Sequence, residues 1–186
     1  MALKSTIFKA TLCVADIDHG YYADHALTIA RHPSENDERM MMRLAAFALH
    51  AHQIQSLGNG DATLSFGAGV STPDEADLWL RDFTGAIRAW IDVGQPDDSA
   101  LAKASRQADE VTVYAFHHAA DVWWRGIENK VARLANLSVW RVAAAESQAL
   151  AELAQRTMHL QATVQEGTLL VGDAARHVSL ERVRLK

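Results

Sequence analysis

Cysteine is almost missing from this sequence: Cys13 stands alone among 186 residues. A lone cysteine excludes an internal disulfide and leaves no thiolate cluster for zinc. Cys13 sits in an apolar run and reads as a small buried hydrophobe. No run of about 18 apolar residues occurs, so no transmembrane helix and no membrane partner are expected. The stretch from Met1 to Thr6 has neither a long apolar segment nor a small-residue cleavage site, so it does not read as a signal peptide. These absences together place the expectation in the cytoplasm. Positive charge is also short: 18 Lys and Arg stand against 23 Asp and Glu, a net charge of -5. Proteins that grip nucleic acid unaided carry a basic surface, because phosphate contacts supply most of the affinity. Any nucleic-acid role here must therefore rest on a local pocket or a bound cation.

Several catalytic signatures are missing as well. Neither Gly58-Asn59-Gly60 nor Gly67-Ala68-Gly69 continues into a phosphate-binding loop, and no Gly-x-Ser-x-Gly elbow is present. Nine histidines invite a zinc reading, but there is no HExxH, and His50 and His52 stand two apart on a helix, where side chains diverge. His117-His118 likewise points two ways or marks a junction, while His32 lies beside Pro33 at the mouth of an acidic helix. The five tryptophans, Trp79, Trp90, Trp123, Trp124 and Trp140, have mainly apolar neighbours and read as core before they read as base-stacking platforms.

What is present is the composition of a soluble globular chain, 49% hydrophobic and 22% charged, long enough for one domain spanning 1–186 with a sizeable core. Alternation from Ser5 to Val14, with Phe8, Ala10, Leu12 and Val14 on one side, predicts a strand. A turn at Asp16 to Gly20 returns it as a hairpin through Ala26, Leu27 and Ile29. Ser34 is the expected N-cap of a long helix running through His52, with Glu35, Asp37 and Glu38 favouring its positive end. Asn59-Gly60 turns into a short strand from Ala62 to Phe66, and a loop holding Gly67, Gly69, Ser71, Thr72 and Pro73 follows. Further strands are expected at Gly85 to Val93, Val111 to Phe116, Leu137 to Val142, Thr157 to Val164, Thr168 to Val171 and His177 to Leu185. Helices are expected at Ser99 to Ala108, Ala119 to Ala135 and Ala144 to Arg156. Strands alternating with helices, and hairpins at both ends, argue for an α/β protein with one mixed sheet and flanking helices.

Two acids carry the candidate chemistry. Asp77 follows a loop and precedes Leu78-Trp79, and Asp92 ends the apolar strand Trp90-Ile91-Asp92-Val93. An acid at such a place is costly to bury unpaired, and a hard cation such as Mg²⁺ relieves that cost with one or two carboxylates. Pairing with Arg88 on the same face, or capping the turn at Gly94, relieves it too, and spacing alone favours these blander solutions. The following helix offers Lys103 and Gln107, four apart and so on one side of it. Acids that hold a metal, and a Lys or Gln that orients water or steadies developing charge, suit a phosphodiester site. The solvated helix face that most lysines occupy is the competing reading for Lys103.

Five stretches in order along the chain resemble the YaeQ family. They are Arg31-His32-Pro33-Ser34-Glu35 with Glu38-Arg39-Met40-Met41, then Glu75-Ala76-Asp77-Leu78-Trp79, then Trp90 to Asp97, then Ala135 to Trp140, and finally Leu160 to Gly167. That family is similar to a compact form of the restriction-endonuclease-like PD-(D/E)XK superfamily. The resemblance implies that Asp77 is the first acid and Asp92 the second, with Glu38, or less so Glu35, as the acid from the first helix. It implies Mg²⁺ or Mn²⁺ held by Asp77, Asp92 and Glu38, with Gln95, Lys103 and Gln107 as polar partners near a bound phosphate. Two positions depart from the pattern: Ala76 stands where proline is more usual, and Gly94, with Gln95 beside it, stands where the superfamily has lysine. The resemblance thus implies either a metal-dependent nuclease acting on nucleic acid through a local pocket, or an inactive member serving as a nucleic-acid- or protein-binding regulatory module.

Overall fold

Alternating burial builds the first unit. In β1 (Thr6–Asp16), Phe8, Ala10, Leu12 and Val14 point inward while Lys9 and Thr11 face solvent. β2 (Tyr21–Arg31) pairs with it antiparallel in an unbroken register from Thr6↔Arg31 to Asp16↔Tyr21. The computed structural model describes residues 4–57, 60–68 and 74–186. The expected turn residues Gly58 and Asn59 and the loop residues Gly69, Ser71, Thr72 and Pro73 lie outside the described residues.

α1 (Asp37–His50) begins two residues later than the sequence predicts. Asn36, not Ser34, is the N-cap, and its side chain accepts the Arg39 N–H. The helix also ends at His50, and α2 (Gln53–Ser56) follows as a separate turn. α1 is buried almost all round, through Met40 to His50, which is the pattern of a helix packed on every side. Then come β3 (Thr63–Phe66), β4 (Leu78–Arg81), β5 (Ile87–Val93), α3 (Asp98–Gln107), β6 (Ala108–Ala115), α4 (Ala120–Val131), β7 (Leu137–Val142), α5 (Ala144–Ala151), β8 (Thr157–Gln165), β9 (Thr168–Gly172), β10 (His177–Leu180) and β11 (Arg182–Arg184).

The strands form two mixed sheets rather than the single one expected: β10-β9-β8-β1-β2 and β11-β7-β6-β5-β4-β3. The strand predicted at His177 to Leu185 is in fact two, one in each sheet. The crossing falls at Glu181, whose N–H leaves the ladder and donates to Glu146 Oε2. β4, four residues long, is too short for periodicity to reveal.

α1 lies between the sheets and touches strands of both, with α5 alongside. One apolar cluster joins Leu12, Ile29, Met41, Leu44, Leu80, Ile91 and Leu160 across this layer. A second cluster, including Trp90, Leu101, Val113, Ile127 and Val139, packs α3 and α4 on the other face of the six-stranded sheet. β5, parallel to β6 and antiparallel to β4, therefore has covered residues on both faces. Among the described residues no helix is long and apolar enough to cross a membrane.

Candidate metal centre

The register of β4 against β5 decides the site. Leu78 sits opposite Ile91, so Asp77, one step before β4, meets Asp92 near the end of β5. Gly67 holds the approach to Asp77: its N–H donates to the Asp77 carbonyl at 2.9 Å. A Cβ on Gly67 would lie 2.0 Å from the Ala76 carbonyl oxygen, so only glycine admits that contact.

The two carboxylates are locked by backbone. The Asp77 N–H donates to Asp92 Oδ1 at 3.2 Å, and the Val93 N–H donates to Asp77 Oδ2 at 2.8 Å. Asp92 Oδ2 accepts the Trp90 indole N–H at 2.9 Å. Arg39 on α1 crosses to Asp77 and donates to both its oxygens, at 2.7 and 2.8 Å. The same guanidinium donates to Glu35 at 3.0 Å, and Glu35 in turn takes the fully buried Arg43 at 3.1 Å. Glu35, Arg39 and Arg43 recur every four residues, so a line of alternating charge runs from between the sheets to Asp77.

The Asp92 carboxyl is pushed up to about 7. Burial is the main cause and repulsion from Asp77 adds to it, while the Trp90 and Asp77 N–H groups and the Arg39 charge hold it down in part. Both acids open on a cavity of about 430 Å³, lined also by Arg39, Asp74, Gln95 and Lys103.

The sequence-predicted residues divide here. Asp77, Asp92, Gln95 and Lys103 line the one cavity. Lys103 Nζ pairs with Asp74 Oδ1 at 2.5 Å across it, and Gln95 Nε2 donates to the Phe116 carbonyl at 3.1 Å. Gln107 does not line the cavity; it is exposed at the last position of α3. Glu38 is directed elsewhere too: its Oε1 accepts the Ser147 hydroxyl at 2.6 Å, and its Oε2 lies 3.8 Å from His117 Nδ1. The acid that the first-helix region brings into the network is Glu35. Arg88 does not neutralise Asp92; it binds Asp82 and Asp109 instead. His32 makes a local bond, its Nδ1 accepting the Ser34 N–H. Sequence reading missed Arg39 and Arg43, although the four-residue spacing from Glu35 was the available signal.

The donor set suits a hard divalent cation. Two carboxylates and the Val93 carbonyl, which lies 3.4 Å from an Arg39 nitrogen, offer oxygen only. Burial and the neighbouring Asp77 carboxylate raise the Asp92 carboxyl, and a cation between the two would relieve that repulsion. Arg39 is the resident competitor for Asp77.

An acidic cavity at the edge between β4 and β5, set in a two-sheet mixed α/β frame, is thus the defining feature of this chain. The chain belongs to the YaeQ family, whose model matches residues 1–182. It is 43% identical over 182 residues to the uncharacterized protein YaeQ of Salmonella typhi, covering 97% of this chain and 96% of that protein. Against YaeQ of Escherichia coli K12 it is 42% identical over 174 residues, 93% of this chain and 91% of the relative. The crystal structure of YaeQ from Xanthomonas axonopodis pv. citri superposes with a TM-score of 0.89 at 40% identity, covering 98% of each chain. That of YaeQ from Pseudomonas syringae gives 0.88 at 32% identity, over 98% of this chain and 96% of the other.

Proposed function

We propose that this protein is a metal-dependent phosphodiesterase of the nuclease type, using a compact variant of the PD-(D/E)XK core and acting on nucleic acid in the cytoplasm. The observation that carries the reading is the meeting of Asp77 and Asp92 on adjacent strands at one cavity that also holds Lys103 and Gln95. Asp77, Asp92 and the Val93 carbonyl would hold Mg²⁺ or Mn²⁺. When bound, such an ion supplies Lewis acidity and lowers the pKa of a coordinated water. In the metal-free protein the Asp92 carboxyl holds a proton up to about pH 7, and gives it up when an ion binds. Lys103 can leave exposed Asp74 to meet a phosphate oxygen, and Gln95 can orient a polar group at the wall. Because the overall charge is -5, substrate attraction rests on this pocket.

The test is cleavage of single- and double-stranded DNA and RNA with Mg²⁺ or Mn²⁺. Activity should vanish in chelator and in the double variant Asp77→Ala, Asp92→Ala. Cleavage undiminished by the double substitution ends the assignment.

A second reading is supported by two features. Gly94 occupies the place of the superfamily's lysine with φ +109, a conformation that a lysine side chain would adopt only under strain. Arg39 meanwhile neutralises Asp77 from within. Both favour a catalytically silent nuclease fold that binds nucleic acid or a protein. Metal binding without cleavage of any of the four substrates selects this reading.

A further inference from the structure

A separate convergence of ligating groups lies at the β1–β2 turn, outside the carboxylate cavity. Asp16 closes β1 with its side chain fully buried. Its Oδ1 accepts the His19 backbone N–H at 3.0 Å, and His19 Nδ1 stands 2.9 Å from both carboxylate oxygens. His52, in the turn after α1, brings its own Nδ1 to 3.2 Å from Asp16 Oδ2. The two imidazoles stack with centroids 3.6 Å apart and planes within 3°. Despite that proximity, His52 Nδ1 is buried and makes no well-aligned hydrogen bond, with the Leu49 carbonyl as a backbone acceptor nearby. Two nitrogens and one oxygen, all within 4.8 Å of one another, therefore gather at a point where one polar atom is unsatisfied.

We propose that Asp16, His19 and His52 form a site for a borderline divalent transition metal of the zinc class. Zinc takes imidazole nitrogen and carboxylate oxygen at about 2.0–2.1 Å, which sets tetrahedral ligand atoms about 3.3 Å apart. The observed 3.2 Å between His52 Nδ1 and Asp16 Oδ2 is near that value, and the His19 ligand atom lies within 4.8 Å of both. Parallel rings do not aim both lone pairs at one point, so coordination requires His19 to rotate out of the stack. Its side chain is 48% exposed on the turn, which leaves room for that rotation and for a water or outside ligand at the open position. Asp16 favours positive charge at this point, and Arg182 opposes it at His52. Arg182 is tied to the Gly167 carbonyl and leans on the Tyr114 hydroxyl, while Asp18 opposes its charge and accepts the Glu166 and Gly167 N–H groups. Nitrogen donors select zinc, cobalt or nickel over magnesium, which separates this site chemically from the all-oxygen cavity. A bound ion would pin the hairpin turn to the end of α1.

The probe is Co²⁺, titrated into the full-length protein at neutral pH and followed by its visible d–d absorption, with Zn²⁺ as competitor. One equivalent should give the intense nitrogen-ligated band, Zn²⁺ should displace it, and Mg²⁺ in large excess should not. His19→Ala and His52→Gln should each abolish the band, while the double variant Asp77→Asn, Asp92→Asn should keep it. No saturable band, a band that survives His19→Ala, or one lost with Asp77 and Asp92 overturns the proposal. His19 is half exposed on a turn, so His19→Ala should fold, checked by circular dichroism, and it decides the matter even if His52→Gln does not.

Discussion

Asp77 and Asp92 restrain each other through backbone: the N–H of Asp77 holds Asp92 Oδ1, and the N–H of Val93, next after Asp92, holds Asp77 Oδ2. The pair is thereby fixed at one cavity floor before any ligand arrives. Preorganisation of this kind lowers the cost of gathering two like charges around a cation. It also means that proton and metal compete for the same oxygens.

That competition has a sign. With the Asp92 carboxyl at about 7, metal binding must displace a proton below that pH and none above it. Affinity for Mn²⁺, measured by calorimetry, should be level above about pH 8 and fall by about tenfold per pH unit well below 7. An affinity independent of pH between 5 and 8 would remove Asp92 from the ligand set.

Arg39 tests the internal counter-charge. Arg39→Met leaves Asp77 and Glu35 without their shared donor. Breaking such a pair should cost about 2–4 kcal/mol in urea unfolding, below the full range for a deeply buried pair because the guanidinium retains some exposure. Mn²⁺ should recover part of the loss, since it supplies the missing positive charge. Recovery by Mn²⁺ equal to that in the wild-type protein would show that Arg39 and the metal do not share Asp77.

His50 and Asp92 act oppositely on stability. His50 is fully enclosed, with Nε2 against the Tyr114 hydroxyl at 2.9 Å, and burial lowers it to about 4. Between about 4 and 6.5 the unfolded chain binds this proton and the folded chain does not, so stability is lost as pH falls through that window. Asp92 is raised, so the folded chain binds its proton first, and stability is lost as pH rises from about 4 towards 7. His50→Gln should flatten the acid-side loss and leave stability declining towards neutral pH. Unfolding curves for the two proteins that run parallel from pH 4 to 6.5 would contradict this.

Glu38 should behave as a packing residue. Ser147→Ala strips a donor from the Glu38 carboxylate and should cost about 1–3 kcal/mol. Neither that change nor Glu38→Gln should alter Mn²⁺ affinity, whereas Asp77→Asn should abolish it. A large loss of Mn²⁺ affinity in Glu38→Gln would restore Glu38 to the centre.

Local pattern carried much of the fold. Alternating apolar residues wrote β1, and Glu166-Gly167 wrote the β8–β9 turn, where both residues adopt positive φ. Helix propensity at α3 through α5 was legible for the same reason: each depends on neighbours a few positions away. Asp77 and Asp92 were legible as acids at the edges of apolar segments. The division into two sheets was not, because a strand's periodicity is the same whichever sheet it joins.

Sequence alone determined most of the strands and helices, though not β4, that Asp77 would precede Leu78-Trp79 and Asp92 would close an apolar strand, and that no disulfide would brace the chain. Tertiary structure decided that Glu35 rather than Glu38 reaches Asp77 through Arg39, that Lys103 and not Gln107 lines the cavity, and that His52 comes to Asp16 across 36 residues. The physical reason is one of range. Dihedral preference and side-chain alternation act over a few residues, whereas the partner of a buried charge is chosen by where α1 settles between the two sheets.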